Sequence, residues 1–224
     1  MKDKSYVYVL IGFFSMLIVG LIGFLVYEFM IKDNDMEYVI DAYNNAYVIK
    51  ARETISEEEQ KNYTEDELNT LLGYDFKIPK INLETEAAQK INNDMYDLIK
   101  GYTNDLENKR NASNGFIKYD YEYIILDEVI YIKLNYTGYA FPGGGTMEQY
   151  LYYYDLKDNK ELTNEDIMKK YQITTEDINQ KLSNPTECFP TLSRFYPKDG
   201  KHFTVYVPTN EYEGNEVIEI EINK

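Results

Sequence analysis

From Tyr6 to Tyr27 the chain reads YVYVLIGFFSMLIVGLIGFLVY, twenty-two residues without a charge. Coiled as a helix at about 1.5 Å per residue, such a run crosses the roughly 30 Å hydrocarbon core of a bilayer, so positions 6–28 are predicted to form a transmembrane helix. A cleaved signal peptide would carry an apolar stretch of about 7–15 residues ending at a small-residue site. This run is longer and closes on Val26, Tyr27 and Glu28. The only cysteine is Cys188, so none follows the run to accept a lipid. Lys2 and Lys4 precede it, whereas Glu28, Asp33, Asp35 and Glu37 crowd its exit against Lys32. The positive-inside rule then places residues 1–5 in the cytoplasm and the C-terminal part outside the cell, a single-pass membrane topology.

The pattern changes after the apolar run. Residues 29–72 are polar and acidic and are predicted to be a stalk or linker, with a dense acid block beginning at Ser56. Met36, Val39, Ile40, Tyr43 and Tyr47 recur at spacings of three and four, which predicts a helix continuing outward, with a strand over Tyr47–Ala51 as the alternative. Ser56 and Thr64, each followed by acids, are candidate helix caps, and Gly73 is a candidate stop. The folded domain is placed at 73–224. Tyr74–Ile81 alternates but holds Pro79, which lacks an N–H and marks a sheet edge or a strand end. Over Thr85–Glu107, Ala87, Ala88, Ile91, Met95, Leu98, Ile99, Tyr102 and Leu106 fall on one helical face. Phe116–Leu126 and Val129–Tyr139 form two long runs around Asp127-Glu128, the pattern of a hairpin. Met147–Leu156 continues the meander, Thr163 or Asn164 caps the first of two short helices, and Arg194–Tyr196, Lys201–Val207 and Glu216–Ile222 read as closing strands. This order predicts an α+β fold: an antiparallel β-sheet with one long helix packed on one face and short helices late in the chain.

Charge narrows the partners. The 39 acids and 23 bases leave a formal charge of −16, which argues against nucleic acid, because affinity for phosphate backbones is built from Lys and Arg. Past Glu28 the acids still outnumber the bases, 37 to 21, so an outer domain would steer basic proteins toward itself. A single cysteine forms no intramolecular disulfide and a single histidine supplies no multi-His zinc site. The stretch Asp155–Asp166 lacks the alternating ligands of an EF-hand loop. No metal and no cofactor is assigned.

Three constellations carry candidate chemistry. Cys188, His202 and Arg194 supply the residue types of a thiol nucleophile, a base and an anion-stabilising group, the ingredients of an envelope hydrolase or transpeptidase. A buried thiol and an ordinary surface histidine explain the first two more simply, and no catalytic residue is assigned. The carboxylate pairs Asp127-Glu128, Glu165-Asp166 and Glu176-Asp177 sit where turns and helix starts favour acids. Pro142-Gly143-Gly144-Gly145 lets a backbone approach a ligand closely, and with Tyr139, Phe141 and Thr146 it forms the candidate ligand-binding site; a plain strand connection is the competing reading.

Several segments carry a resemblance. The IPKI run at Ile78–Ile81 followed by AAQKINNDM, the glycine cluster Pro142–Gly145, YLYYYDLKDNKELTNEDI from Tyr150 and FTVYVPTNEYEGNEVIEI from Phe203 together resemble the extracytoplasmic RsiV-like domain family, also found beside PdaC-type peptidoglycan deacetylase domains. Where that family usually has Gly-Gly-Ala-His, this chain has Gly143-Gly144-Gly145-Thr146, which removes any role of that histidine. The resemblance implies a Gram-positive cell-envelope module that recognises lysozyme or cell-wall material such as a peptidoglycan fragment. Five cytoplasmic residues are too few for the sigma-binding segment of an anti-sigma factor, and one histidine is too few for a deacetylase centre. A sensor or binding module on its own anchor is the expected function, and a structural subunit of a membrane complex is an alternative.

Overall fold

The computed structural model describes residues 37–106, 115–140, 145–210 and 214–222. The predicted cytoplasmic tail and transmembrane helix lie outside them, and among the described residues no helix is long and apolar enough to cross a membrane. The described strands and helices belong to one unit, Val39–Lys224.

Alternating runs become strands throughout: β1 (Val39–Lys50), β2 (Leu71–Ile81), β3 (Gly115–Leu126), β4 (Val129–Ala140), β5 (Gly145–Asp155), β6 (Lys160–Glu161), β7 (Arg194–Pro197), β8 (His202–Pro208) and β9 (Asn215–Glu221). Between them lie the short helices α1 (Glu57–Gln60) and α2 (Glu65–Leu68), the long α3 (Glu86–Leu106), and α4 (Asn164–Lys170) and α5 (Thr175–Asn179). The mixed α+β class agrees with the sequence pattern, but the strands make two sheets rather than one. β1 to β6 lie side by side in chain order, and β7-β8-β9 form a separate three-stranded sheet. The six-stranded sheet is not wholly antiparallel either, since β2 and β3 run parallel over Gly73–Phe76 and Phe116–Tyr119. The chain between them includes α3, the crossover that a parallel pair requires.

The helical stalk expected over Met36–Tyr47 is instead a strand from Val39 onward, paired antiparallel with β2 along its length. The sheet therefore begins at Val39 and not at Gly73. Its register slips between Asp41 and Tyr43, leaving Ala42 as an extra residue opposite the stretch Ile78–Pro79. A bulge suits that position, because Pro79 has no N–H to offer the ladder. Pro79 is also beyond the last residue of β2 that pairs with β3, so it sits where the strand has a neighbour on one side. Gly73, expected as a helix stop, lies inside β2 with φ +112°, and a Cβ there would fall 2.0 Å from the Tyr47 carbonyl oxygen.

α3 packs on one sheet face, chiefly over β2, and buries Ala88, Ile91, Met95 and Ile99; Phe76, Ile78, Ile130 and Ile132 are buried in the sheet. Thr85 caps it by accepting the Ala88 N–H at 3.1 Å and holds it to the sheet through a 2.9 Å hydroxyl contact with Tyr154. Asn92 accepts the Ile81 N–H at 2.7 Å and donates to the Ile81 carbonyl at 3.0 Å, closing the end of β2 that has no β3 partner. A second core lies on the opposite face. There Val129, Tyr131 and Tyr153 pack with Ile167, Tyr171 and Ile178 of the short helices and with Phe195, Phe203 and Val205 of the small sheet.

Candidate functional site

Pairing register assigns each side chain to a face, because directly paired residues point the same way and successive residues alternate. Tyr139 is paired with both Phe116 and Gly145, and Phe116 with Gly73. Gly73 is also paired with Val48. Leu71 and Met147, two residues along their strands from Gly73 and Gly145, share the same face. The small sheet and its helices pack on one end of this face, around Tyr131 and Tyr153. Among the described residues the other end is open: Val48 is 41% exposed, Leu71 44% and Met147 82%.

Phe116 and Tyr139 form the half-buried centre of this open area, with ring centroids 5.5 Å apart. The Tyr139 hydroxyl donates to the Leu71 carbonyl at 2.6 Å, reaching from β4 across β3 to β2. That bond ties the ring to β2, and burial pushes its phenol above the ordinary value. The result is an aromatic and aliphatic shelf drawn from five strands, β1 to β5.

Of the six residues expected to bind a ligand, three lie among the described residues. Tyr139 and Gly145 lie on the open face, but Thr146 pairs with Gly138 and therefore points to the opposite one. Phe141, Gly143 and Gly144 lie outside the described residues. Leu71, Phe116 and Met147 escaped the sequence reading because each looks like an ordinary strand residue, and only the register brings them beside Tyr139.

Cys188, Arg194 and His202 are held apart. Cys188 bridges to Thr209, just past one end of β8, whereas His202 opens the other end of that strand. At about 3.3 Å per residue, the strand between them keeps thiol and imidazole roughly 20 Å apart. Burial pushes the Cys188 thiol above its ordinary pKa, and the Glu216 carboxylate, 3.7 Å from the sulfur, adds to the shift. Those surroundings favour the neutral thiol over the nucleophilic thiolate. His202 Nδ1 rests 3.2 Å from both oxygens of Asp199. Arg194 is spent on the Gln149 carbonyl and on Asn215.

The carboxylate pairs sit in a turn and at two helix starts. Asp166 and Asp177 close capping boxes with Thr163 and Thr174, and hydrogen bonds from those threonines hold both carboxyls below the usual range. Asp127 and Glu128 make the β3–β4 turn. A cleft of about 370 Å³ opens between β6 and α4, lined by Asp155, Lys160, Leu162, Asp166, Lys169 and Lys170. Asp155 there accepts the N–H groups of Lys157 and Asp158, each at 2.9 Å. Lys169 and Lys170 stand in the last turn of α4, where the helix dipole favours cations.

No protein-family model matches the chain, and no curated protein does. Among solved structures it is similar to a DUF3298 family protein from Pseudomonas aeruginosa, with 10% identity, 81% of this chain and 89% of that one covered, and a TM-score of 0.44. A member of the same family from Bacteroides fragilis aligns at 13% identity over 68% of this chain and 83% of that one, with a TM-score of 0.35.

Proposed function

We propose that this chain is a binding module of the bacterial cell envelope, anchored by the apolar run at 6–28 with its folded domain outside the membrane. In this reading the open sheet face takes the ligand. The carrying observation is that exposed Val48, Leu71 and Met147 share one sheet face with the half-buried ring pair Phe116 and Tyr139. Apolar and aromatic anchors surrounded by polar residues are the usual centre of a protein interface. The ligand class follows from charge: a chain at −16 favours a basic protein, and the resemblance to RsiV-like domains makes lysozyme the first one to test.

The test uses the full chain in lipid nanodiscs, titrated with lysozyme as salt rises. A micromolar or tighter Kd that persists at about 0.15–0.5 M salt is the expected result, since screening at that ionic strength removes loose charge attraction. Leu71→Ser and Met147→Ser are both expected to weaken binding about tenfold with thermal stability unchanged. Binding that disappears with salt, or that ignores both substitutions, overturns lysozyme recognition on this face and moves the search to cell-wall saccharides.

A further inference from the structure

The six-stranded sheet has two edges, and among the described residues the β5–β6 side is partly covered whereas β1 has a strand neighbour on one side alone. On β5, β6 covers Tyr154 and Asp155, and Arg194 of the small sheet occupies the carbonyl of Gln149. Glu148 adds a charge beside it. The other edge is β1, twelve residues long, with Ala42, Asn44, Asn45, Ala46 and Val48 all exposed. Soluble proteins usually blunt such an edge with lysine, proline or a bulge. Here the bulge lies at the start of the strand, and Tyr43–Ile49 is regular, without charge or proline.

Charge stands only at the two ends of that neutral stretch, Asp41 at one and Lys50 at the other. A parallel neighbour of the same sequence would set like charges against each other. An antiparallel neighbour brings the Asp41 end of each strand to the Lys50 end of the other, twice, about a two-fold axis near the strand centre. We infer that the β1 edge is a homodimer interface, where a second copy of this chain adds its own β1 antiparallel and joins the two six-stranded sheets into one. The interaction is main-chain pairing, with the terminal charges selecting orientation. It rests on main-chain pairing along β1 and needs no ligand on the open face, which meets this edge at Val48.

Sedimentation equilibrium of the full chain in density-matched detergent tests this. The wild-type chain is expected to be a dimer, Asp41→Lys and Lys50→Asp each to weaken it at least tenfold, and the double variant to regain most of the loss. Rescue separates pairing between copies from local damage, because the Tyr121 hydroxyl that donates to Asp41 at 2.5 Å is not restored by changing Lys50. Ala46→Lys, an exposed change in mid-strand, is expected to abolish the dimer while leaving the circular dichroism melt unchanged. A monomeric wild type, a dimer insensitive to Ala46→Lys, or single charge variants that the double variant does not rescue would each overturn the inference.

Discussion

Asp127 and Glu128 join β3 to β4 with φ of 49° and 63°, so two side-chain-bearing residues occupy left-handed backbone in a two-residue turn. That geometry follows the right-handed twist of the flanking strands, and it is the reason such turns favour Asn-Gly. Left-handed backbone costs an L-residue about 1–2 kcal/mol. Glu128→Gly is therefore expected to raise stability by about 1 kcal/mol in urea unfolding, since the Glu128 carbonyl that accepts the Leu156 N–H at 2.8 Å is kept. A lower stability would show that the Glu128 side chain contributes more than its strain costs. Cys188 offers a second test. With its thiol pKa raised in the fold, the neutral form is favoured, so this stabilisation is full below the unfolded thiol value and is lost as pH rises through the folded one. A disulfide reagent is expected to modify it slowly at pH 8 in the folded protein and quickly in denaturant. Equal rates would contradict the buried thiol.

At the scale of elements, four helices of seven residues or fewer start on capping boxes: Ser56, Thr64, Thr163 and Thr174 each accept an N–H three residues on and receive a carboxylate in return. Helices this short are not stable from backbone bonds alone, so the cap decides whether they form. Thr163→Ala is expected to cost about 1 kcal/mol. Asp166 is held below its ordinary pKa by the same box, so its contribution is full above the unfolded carboxylate value near pH 4 and fades as pH falls through the lowered folded value. Thr163→Ala should flatten that acid slope as well as lower the neutral plateau, which stability measured against pH would reveal. The caps at Ser56, Thr64 and Thr163, the hairpin and the late strands were legible because each depends on local pattern. β1 was not. Val39, Tyr43 and Tyr47 are four apart, a spacing that suits a helix, and between Val39 and Tyr43 the bulge interrupts the strict alternation that would have revealed a strand. The parallel pairing of β2 with β3 leaves no local signal at all, because the two segments are separated by α3.

Across the whole molecule, both sheets share buried aromatic residues: Tyr131 of β4 lies 5.8 Å from Phe203 of β8, which in turn lies 4.9 Å from Tyr171. Phe203→Ala is expected to cost about 3–5 kcal/mol and to lower the melting of both sheets together. Two separate transitions would show that the small sheet unfolds independently. The open face was half legible for the same reason that the two-sheet division was hidden. Tyr139 stood out beside the glycines, but its companions Leu71, Phe116 and Met147 come from three other strands, and sequence periodicity reports which way a residue points without saying which strands are neighbours. The four-residue parallel junction between β2 and β3 also sets an order of assembly. The meander β3–β4–β5 closes through short connections, whereas pairing Gly73 with Phe116 requires a long loop to close first, an entropy cost that local contacts do not face. Pulsed hydrogen exchange during refolding should protect Val129–Asp155 before Leu71–Phe76. Until that late step β2 would lack its β3 neighbour, so the slowest moment of folding is also the moment at which this chain is most open to pairing with the wrong strand.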